Sequence, residues 1–349
     1  QEDGYALVAV RAEDQRVRYT VASNTTVIEQ HAFEGQMYIQ EVELPEGVIS
    51  IEKEAFESCQ ALRRIVLPEG LTRICADAFR CCISLEGLEL PSTLKDLGEH
   101  AVTDTYGWSP SMNGITYMRV HPDNPYFYHD ANAFYQRREN GSLLIKYFGK
   151  NEVWKIPEEV TELGAMALRR SNLREVIIPE TVKSISKDAF AECGRLECME
   201  FAADGVKLYV PENPVYRKGE ISSLFYRDNA GQLHYDYETY DSLLADWSQI
   251  LIRCRMAAFR LEYPVQLPTA RKQAYEALIA EHLKDLVYDI CKRDSLMDLA
   301  ALGNAGMITA ERIEEMIDWT TACHRGKLTG YLLEYQQEHF TENTFDFSL

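Results

Sequence analysis

A recurring set of apolar positions organises the N-terminal part of the chain. Two dipeptides mark it, each with a spacing of 23 residues, and a shorter spacing of 22 residues follows after an interruption. Similarity to itself at a fixed period of this length is typical of stacked structural repeats. The dipeptides are Ala-Phe at 32–33, 55–56 and 78–79; Leu-Pro at 44–45, 67–68 and 90–91; Ile-Pro at 156–157 and 178–179; and Ala-Leu and Ala-Phe at 167–168 and 189–190.

Each repeat predicts one short strand and a return along a second wall. In the repeat at 51–70, Leu62, Ile65 and Leu67 supply the inward side of the strand. The following Pro68 ends the pairing because proline has no amide N–H. A single repeat of this size cannot cover its own apolar side. The repeats are therefore expected to stack into a solenoid with one continuous core, in which the Ala-Phe pairs fill the layer between the walls.

Three of the nine cysteines occupy one fixed position of the repeat, just before the strand. A small and weakly polar side chain at Cys59, Cys82 and Cys193 suits packing inside a turn, and we expect that role in preference to redox or metal chemistry. The chain has no CxxC pair. So many unpaired thiols slightly favour a cytoplasmic compartment, whereas a cell-surface or secreted location stays open if a leader preceding Gln1 was removed.

These motifs resemble the BspA-type bacterial leucine-rich repeat. The pattern AF-x-x-C-x-x-L-x-x-I-x-LP stands in residues 51–68 and 74–91, with degenerate copies at 27–45, 160–179 and 182–201. The resemblance covers roughly residues 20–235 and implies a solenoid with parallel strands. Gln36 replaces the usual cysteine in the first copy, and Leu168 and Ser171 replace phenylalanine and cysteine in a later one. These departures affect local packing only.

Two kinds of interruption are expected within this region. An insertion at 103–110 carries Tyr106 and Trp108, which predicts either an exposed contact loop or a tryptophan folded back over the core. Asn140-Gly141 between two apolar runs predicts a β-hairpin, and a similar segment around 229–231 predicts a second one. BspA-like proteins carry such hairpin excursions between blocks of repeats, so both are interpreted as structural.

From about Tyr240 the apolar period changes from 2 towards 3.6, which predicts an all-α domain. A first helix carrying Trp247 and Cys254 ends at Tyr263-Pro264, and caps at Thr269, Asp294 and Thr309 begin later ones. The last helix is expected at 327–339. The domain division is thus predicted as a solenoid at 1–239 and a helical domain at 240–349, which resembles the helical tail of some bacterial repeat proteins.

The net charge of the chain limits the classes of partner that it can bind. The chain has 349 residues, a formal net charge of −19 and a pI near 4.9. A nucleic-acid partner is excluded because its phosphates require a basic surface, and an anionic membrane is disfavoured for the same reason. No stretch approaches the 18 apolar residues of a membrane span.

Catalytic candidates are few. The chain lacks the phosphate-loop, zinc-protease and hydrolase-elbow motifs. Cys323 and His324 are neighbours that would diverge on a helix, so they cannot form a dyad. We therefore predict a non-enzymatic protein without cofactor or metal, and keep metal-dependent or catalytic activity in the helical domain as an alternative. The remaining clusters are His282 with Asp285 and Asp289, and His121 with Asp123, His129 and Asp130.

The outward side of the strands is the predicted contact surface. Its layers alternate in sign along the stack, which favours electrostatic recognition of a protein or peptide, although ordinary solvated charge explains the same pattern. The predicted function is a protein- or peptide-binding scaffold, with a cell-surface adhesin as the sharper alternative; the oligomeric state is not predicted. Cys198 is expected to point outward in the last layer. The predicted contact residues are Glu41, Glu43, Arg63, Arg64, Glu86, Glu89, Trp108, Tyr117, Arg119 and Arg174.

Overall fold

The computed structural model describes residues 4–10, 15–102, 115–202, 205–210 and 224–340. It is a β-solenoid of about eight turns, followed by a helical region, as the sequence predicts. The strands are β1 (Tyr5–Leu7), β2 (Arg18–Thr20), β3 (Thr25–Ile28), β4 (Glu41–Glu43), β5 (Ser50–Ile51), β6 (Arg64–Val66), β7 (Arg73–Ile74), β8 (Gly87–Leu90), β9 (Asp96–Leu97), β10 (Tyr117–Val120), β11 (Phe127–His129), β12 (Ala133–Arg138), β13 (Gly141–Tyr147), β14 (Val153–Lys155), β15 (Val160–Leu163), β16 (Glu175–Ile178), β17 (Ser184–Ile185), β18 (Cys198–Phe201), β19 (Val206–Tyr209), β20 (Phe225–Arg227) and β21 (Leu233–Tyr235).

Residues up to 120 form a first block of coils with two parallel walls. One wall contains β2, β4 and β6, continued by β8 and β10, and the other contains β1, β3, β5, β7 and β9. Strand partners differ by one repeat, so that Glu41 pairs with both Arg18 and Arg64. The predicted strands at Val42, Ile65, Leu88 and Met118 are confirmed, and β2 adds a coil that the sequence pattern did not indicate.

The Ala-Phe positions lie directly above one another in the core. The rings of Phe33 and Phe56 are stacked with centroids 4.6 Å apart, and those of Phe56 and Phe79 are 5.2 Å apart. Ala32, Ala55 and Ala78 are fully buried beside them. The rings pack on their counterparts one coil away because each coil repeats the same side chain at the same height.

The side chain at the cysteine position of the repeat makes a hydrogen bond to the backbone of the preceding coil. The Sγ atoms of Cys59, Cys82 and Cys193 donate to the carbonyl oxygens of Phe33, Phe56 and Leu168, at 2.9, 3.0 and 3.0 Å. Burial raises the pKa of the Cys82 and Cys193 thiols, which keeps the S–H donor in place. In the first copy the Nε2 atom of Gln36 makes the same kind of bond to the Val10 carbonyl, at 3.2 Å. The glutamine therefore replaces the cysteine functionally.

Left-handed backbone recurs at two places in each coil. The residue before the alanine is left-handed at Glu54 and Asp77, both with φ of 56°. The second residue after the phenylalanine is left-handed too, as Gly35 in one coil, Ser58 in the next and Cys81 in the third. Only Gly35 adopts this conformation without a steric cost. The other coils tolerate it because stacking fixes the turn.

A second block begins after the interruption. Its β12 and β13 pair antiparallel around the predicted Asn140-Gly141 turn, with Arg138 opposite Gly141. The second predicted hairpin is β20 with β21, in which Arg227 pairs with Leu233. Parallel coils resume as β13, β15 and β17 on one wall, and as β14, β16 and β18 on the other, closed by antiparallel β19. The predicted Tyr106 and Trp108 loop lies outside the described residues.

The helical region differs from the sequence prediction at its boundaries. The first predicted helix is two helices, and Trp247 lies at the break between them. Ser295, not Asp294, caps the fourth helix through a bond from the Asp298 amide, while Asp294 is left-handed at the end of the third. Thr269 and Thr309 provide no side-chain cap. The helices among the described residues are α1 (Tyr237–Asp246), α2 (Ile250–Glu262), α3 (Thr269–Arg293), α4 (Leu296–Asn304), α5 (Ile313–Ala322) and α6 (Gly326–His339).

The buried side chains form two clusters. One runs from Val10 to Phe134 and joins the first block to β11 and β12. The other runs from Ala133 to Leu332 and joins the second block to the helices. The division at residue 240 stays a prediction, and α1 begins three residues before it. None of the helices within the described ranges has the length and apolar character that crossing a membrane requires.

Phe56→Ala is expected to lower the free energy of unfolding by about 4 kcal/mol, because it leaves a cavity between two stacked rings. Phe79→Ala should cost less, since Phe79 has one stacked ring neighbour where Phe56 has two. Urea unfolding followed by circular dichroism measures both, with exposed Tyr38→Ala as the control. Equal losses for all three variants would contradict the stacked core.

Candidate functional site

The outward side chains of β2, β4, β6, β8 and β10 form one continuous surface, which we name the first strand face. The structure places most of the predicted contact residues on it or at its margin. Val42, Ile65 and Leu88 point into the core, so their sequence neighbours point out. The predicted residues brought together here are Glu41, Glu43, Arg63, Arg64, Glu86, Glu89, Tyr117 and Arg119.

Several charges on the first strand face are paired across neighbouring strands. Arg18 donates from Nε to the Glu41 carboxylate at 2.9 Å, and this bond raises the pKa of the arginine. The Thr20 hydroxyl donates to Glu43 at 3.1 Å. Arg119 and Glu89 form an exposed ion pair at 3.2 Å. These contacts pair the polar side chains at the two ends of the first strand face. Arg18 and Thr20 belong to β2, a layer that the sequence reasoning missed.

The centre of the face is different. Arg63 and Arg64 are exposed, and neither has an ion-pair or side-chain hydrogen-bond partner among the described residues. Val66 beside them leaves 47% of its surface exposed. Two unpaired cations next to an exposed apolar side chain provide both charge and apolar area for a partner.

Tyr117 bounds this central patch. Its ring lies over Gly87 on the paired strand, where an added Cβ would come within 2.3 Å of the ring. The Arg119 guanidinium lies 5.4 Å from the ring centroid. The aromatic ring is therefore held flat on the face, with 42% of the residue exposed.

The last layer of the equivalent surface in the second block is covered, whereas Val153 on β14 is 53% exposed. The outward positions at Cys198 and Tyr209 are 0% and 1% exposed, so Cys198, predicted to point outward, is not accessible to solvent. The helices cover it: the ring of Phe259 on α2 lies 5.8 Å from that of Tyr209, and the Tyr240 hydroxyl donates to the Tyr209 carbonyl at 2.7 Å. Arg174 belongs to the second block and is only partly exposed, and its guanidinium is paired with Glu197 at 2.7 Å.

A buried arginine with two carboxylate partners joins the covering helices to each other. Arg255 on α2 is 2% exposed and donates to the Tyr209 hydroxyl at 3.1 Å. It also forms ion pairs with Asp298 on α4 at 2.8 Å and with Asp289 on α3 at 3.3 Å. Burial raises the pKa of Asp298 even though Arg255 opposes that shift. The pair thus links three helices to the last strand of the solenoid.

Four of the residues considered for catalysis make structural contacts. His129 Nδ1 accepts from the Val120 amide at 3.2 Å, and His121 Nδ1 accepts from the Asp123 amide at 3.2 Å. Asp130 accepts from the Asn132 and Ala133 amides, each at 2.7 Å. Asp289 belongs to the buried Arg255 network.

One cluster that sequence reasoning missed joins two neighbouring coils. His31, Glu54 and Glu57 bring one ligand atom each within 4.8 Å of one another. Their carboxylates already have cations: Lys53 lies 3.4 Å from Glu54, and Arg80 is bonded to Glu57. The repeat spacing alone could have indicated this stacking, since His31 and Glu54 occupy the same repeat position.

Comparison with known proteins agrees with this architecture. The family profile described as the BspA type leucine rich repeat region matches six copies, at residues 17–109 and 146–211. Repeats of this family typically form protein-binding scaffolds or surface proteins. A search of curated proteins finds no match.

Solved structures of bacterial leucine-rich repeat proteins are similar to part of the chain. One from Eubacterium ventriosum shares 18% identity with a TM-score of 0.41, covering 53% of this chain and 60% of its own. The pneumococcal vaccine antigen PcpA shares 18%, with a TM-score of 0.38 and coverage of 56% and 63%. A leucine rich cell surface protein from Faecalibacterium prausnitzii shares 18%, with a TM-score of 0.32 and coverage of 54% and 70%. The chain thus spans less than two thirds of the first two structures.

Asp298→Asn is expected to lower the free energy of unfolding by about 3 kcal/mol, because it removes the nearest charge that compensates buried Arg255. Asp285→Asn on the exposed side of α3 is the matched control and should change little. Urea unfolding followed by tryptophan fluorescence measures both. The double variant Arg255→Met with Asp298→Leu should be more stable than the single one, and the reverse order would contradict the assignment.

Proposed function

We propose that this chain, whose residues 17–109 and 146–211 are BspA-type leucine-rich repeats, is a non-enzymatic scaffold that binds a protein or peptide through the first strand face. One observation carries the proposal. The last layer of the second block's outward strand surface is buried under the chain's own helices at Cys198 and Tyr209, whereas the first block's surface stays exposed at Val66 and Tyr117, beside Arg63 and Arg64.

The chemistry of the central patch supports an acidic contact region on the partner. Arg63 and Arg64 are unpaired cations within the described part of a protein with a net charge of −19. Its global negative charge repels most of an acidic partner, so the arginine pair fixes where and in which orientation such a partner docks. Val66 and Tyr117 supply the apolar and aromatic contacts that are enriched at interface centres.

Several side chains considered for catalysis support this interpretation. His121, His129 and Asp130 accept hydrogen bonds from backbone amides, and Asp289 in the helical region forms an ion pair with Arg255. Groups engaged in this way are not poised to transfer protons or to attack a substrate. Binding therefore accounts for the exposed side chains better than catalysis does.

The test is a double charge reversal, Arg63→Glu with Arg64→Glu, in a chain used for cross-linking capture of partners from the source cell. We expect a captured partner, once purified, to bind the variant at least about tenfold more weakly, since both favourable contacts become repulsive. The affinity is measured by calorimetry at two salt concentrations, because the contribution of exposed charges declines as salt rises.

The matched control is Lys292→Glu with Lys327→Glu, which changes the net charge equally at exposed positions of α3 and α6. It should leave the affinity of that partner unchanged. If both double variants bind as the parent chain does, the first strand face is not the contact surface. If both weaken binding equally, net charge and not the face is responsible.

A further inference from the structure

A cavity of about 560 Å³ lies where the first block meets the second, away from the first strand face. One side is the last turn of the first block, from Leu97 to Val102. The opposite side consists of hairpin residues and of the following coils of the second block, including Arg138, Leu143, Ile145 and Ser184. The cavity is thus built from two sheets that do not pair with each other.

The hydrogen-bond ladder of the first block stops at this cavity. In the coil before it, the amides of Asp77 and Phe79 donate to the carbonyls of Glu99 and Ala101, at 3.1 and 3.0 Å. The equivalent amides one coil later are those of His100 and Val102, and they have no backbone acceptor within the described ranges. Strand β9 is likewise the edge of its sheet. Leaving a buried amide N–H without an acceptor costs free energy. An extended peptide whose carbonyl groups accept from these amides would remove that cost.

The opposite side of the cavity adds apolar and cationic groups. Leu143 and Ile145 are half-buried on the side of β13 that faces the cavity. Arg138 is exposed at the rim and has no ion-pair partner among the residues described. The Nε2 atom of His100 is buried without a hydrogen-bond partner, 3.8 Å from the Glu99 carboxylate. The groups without a partner at the cavity are therefore amide donors, the His100 ring and the Arg138 cation, which complement carbonyl oxygens and a single carboxylate, while the carboxylates of Glu99 and Glu162 also line the cavity.

We propose that this cavity binds an extended peptide segment of a partner protein as the next strand beside β9. Carbonyl oxygens of the segment accept from the amides of His100 and Val102. Its apolar side chains pack on Leu143 and Ile145, and a carboxylate pairs with Arg138. The site is separate from the first strand face, so either can exist without the other.

The chain's own repeat provides the probe. Residues 49–57, with the sequence ISIEKEAFE, accept backbone hydrogen bonds from the preceding coil, as the proposed segment would from His100 and Val102. Their Ala55 and Glu57 carbonyls accept from the amides of Phe33 and Gly35, at 2.7 and 2.8 Å. The peptide carries three glutamates and one lysine, so it offers carboxylates that can pair with Arg138. We expect the fluorescein-labelled peptide to bind the full chain saturably, with a dissociation constant of about 10–100 μM by fluorescence polarisation.

Two variants test the location. Ser184→Trp places a bulky ring in the cavity and should abolish saturable binding. Arg138→Glu should weaken binding about fivefold, as expected for a partly exposed charge contact. Arg137→Glu is the matched control, because the Arg137 guanidinium lies 4.5 Å from the Tyr128 ring centroid and does not line the cavity. Circular dichroism tests whether each variant is folded. If Ser184→Trp does not fold, the effect of Arg138→Glu on peptide binding still tests the location of the site.

The outcomes separate this site from the first strand face. Arg63→Glu with Arg64→Glu should leave peptide binding unchanged, and loss of binding in that variant would move the peptide to the first strand face. Absence of saturable binding at 1 mM peptide, or equal affinity in all variants, would overturn the proposal. A concentration-dependent dimer that Ser184→Trp dissociates would assign the cavity to a second copy of the chain instead.

Discussion

Each coil of this protein depends on its neighbour for both its core and its hydrogen bonds. A coil of 23 residues exposes an apolar side and a row of amide groups that only the next coil can cover. The stacked rings of Phe33, Phe56 and Phe79 meet the first need, and the backbone ladder and the cysteine thiols meet the second. Wherever stacking is interrupted, another part of the molecule has to complete the coil.

The two blocks solve this problem in different ways. The second block ends in antiparallel β19, and the helices then cover its outward surface through Phe259, Tyr240 and Arg255. Its core and that of the helices are one cluster, so the helical region is part of the structure that ends the solenoid. The first block keeps its strand surface exposed and meets the second block across a cavity. Its two uncovered surfaces are the candidate sites, and they are chemically distinct.

Much of the candidate strand surface could be predicted from the sequence. In a strand, alternate residues point to opposite sides, so buried Val42 and Ile65 place Glu43 and Arg64 outside. Which charges remain available could not be predicted, because pairing depends on neighbours from other coils. Arg119 is paired with Glu89 and Arg174 with Glu197, while Arg63 and Arg64 form no ion pair in the described structure, although Glu41 lies opposite Arg64 and is bonded to Arg18.

The sequence by itself determined the repeat, the parallel strands, the hairpin at Asn140-Gly141 and the change to helices, because these follow from periodicity and from local turn chemistry. Only the tertiary structure decided that Cys198 is buried, that Ser58 and Cys81 adopt left-handed backbone, and that the Arg255 side chain on α2 is buried. Each of these depends on residues distant in sequence. A period records what every coil has in common, whereas burial, pairing and an open edge depend on which neighbour a given coil has.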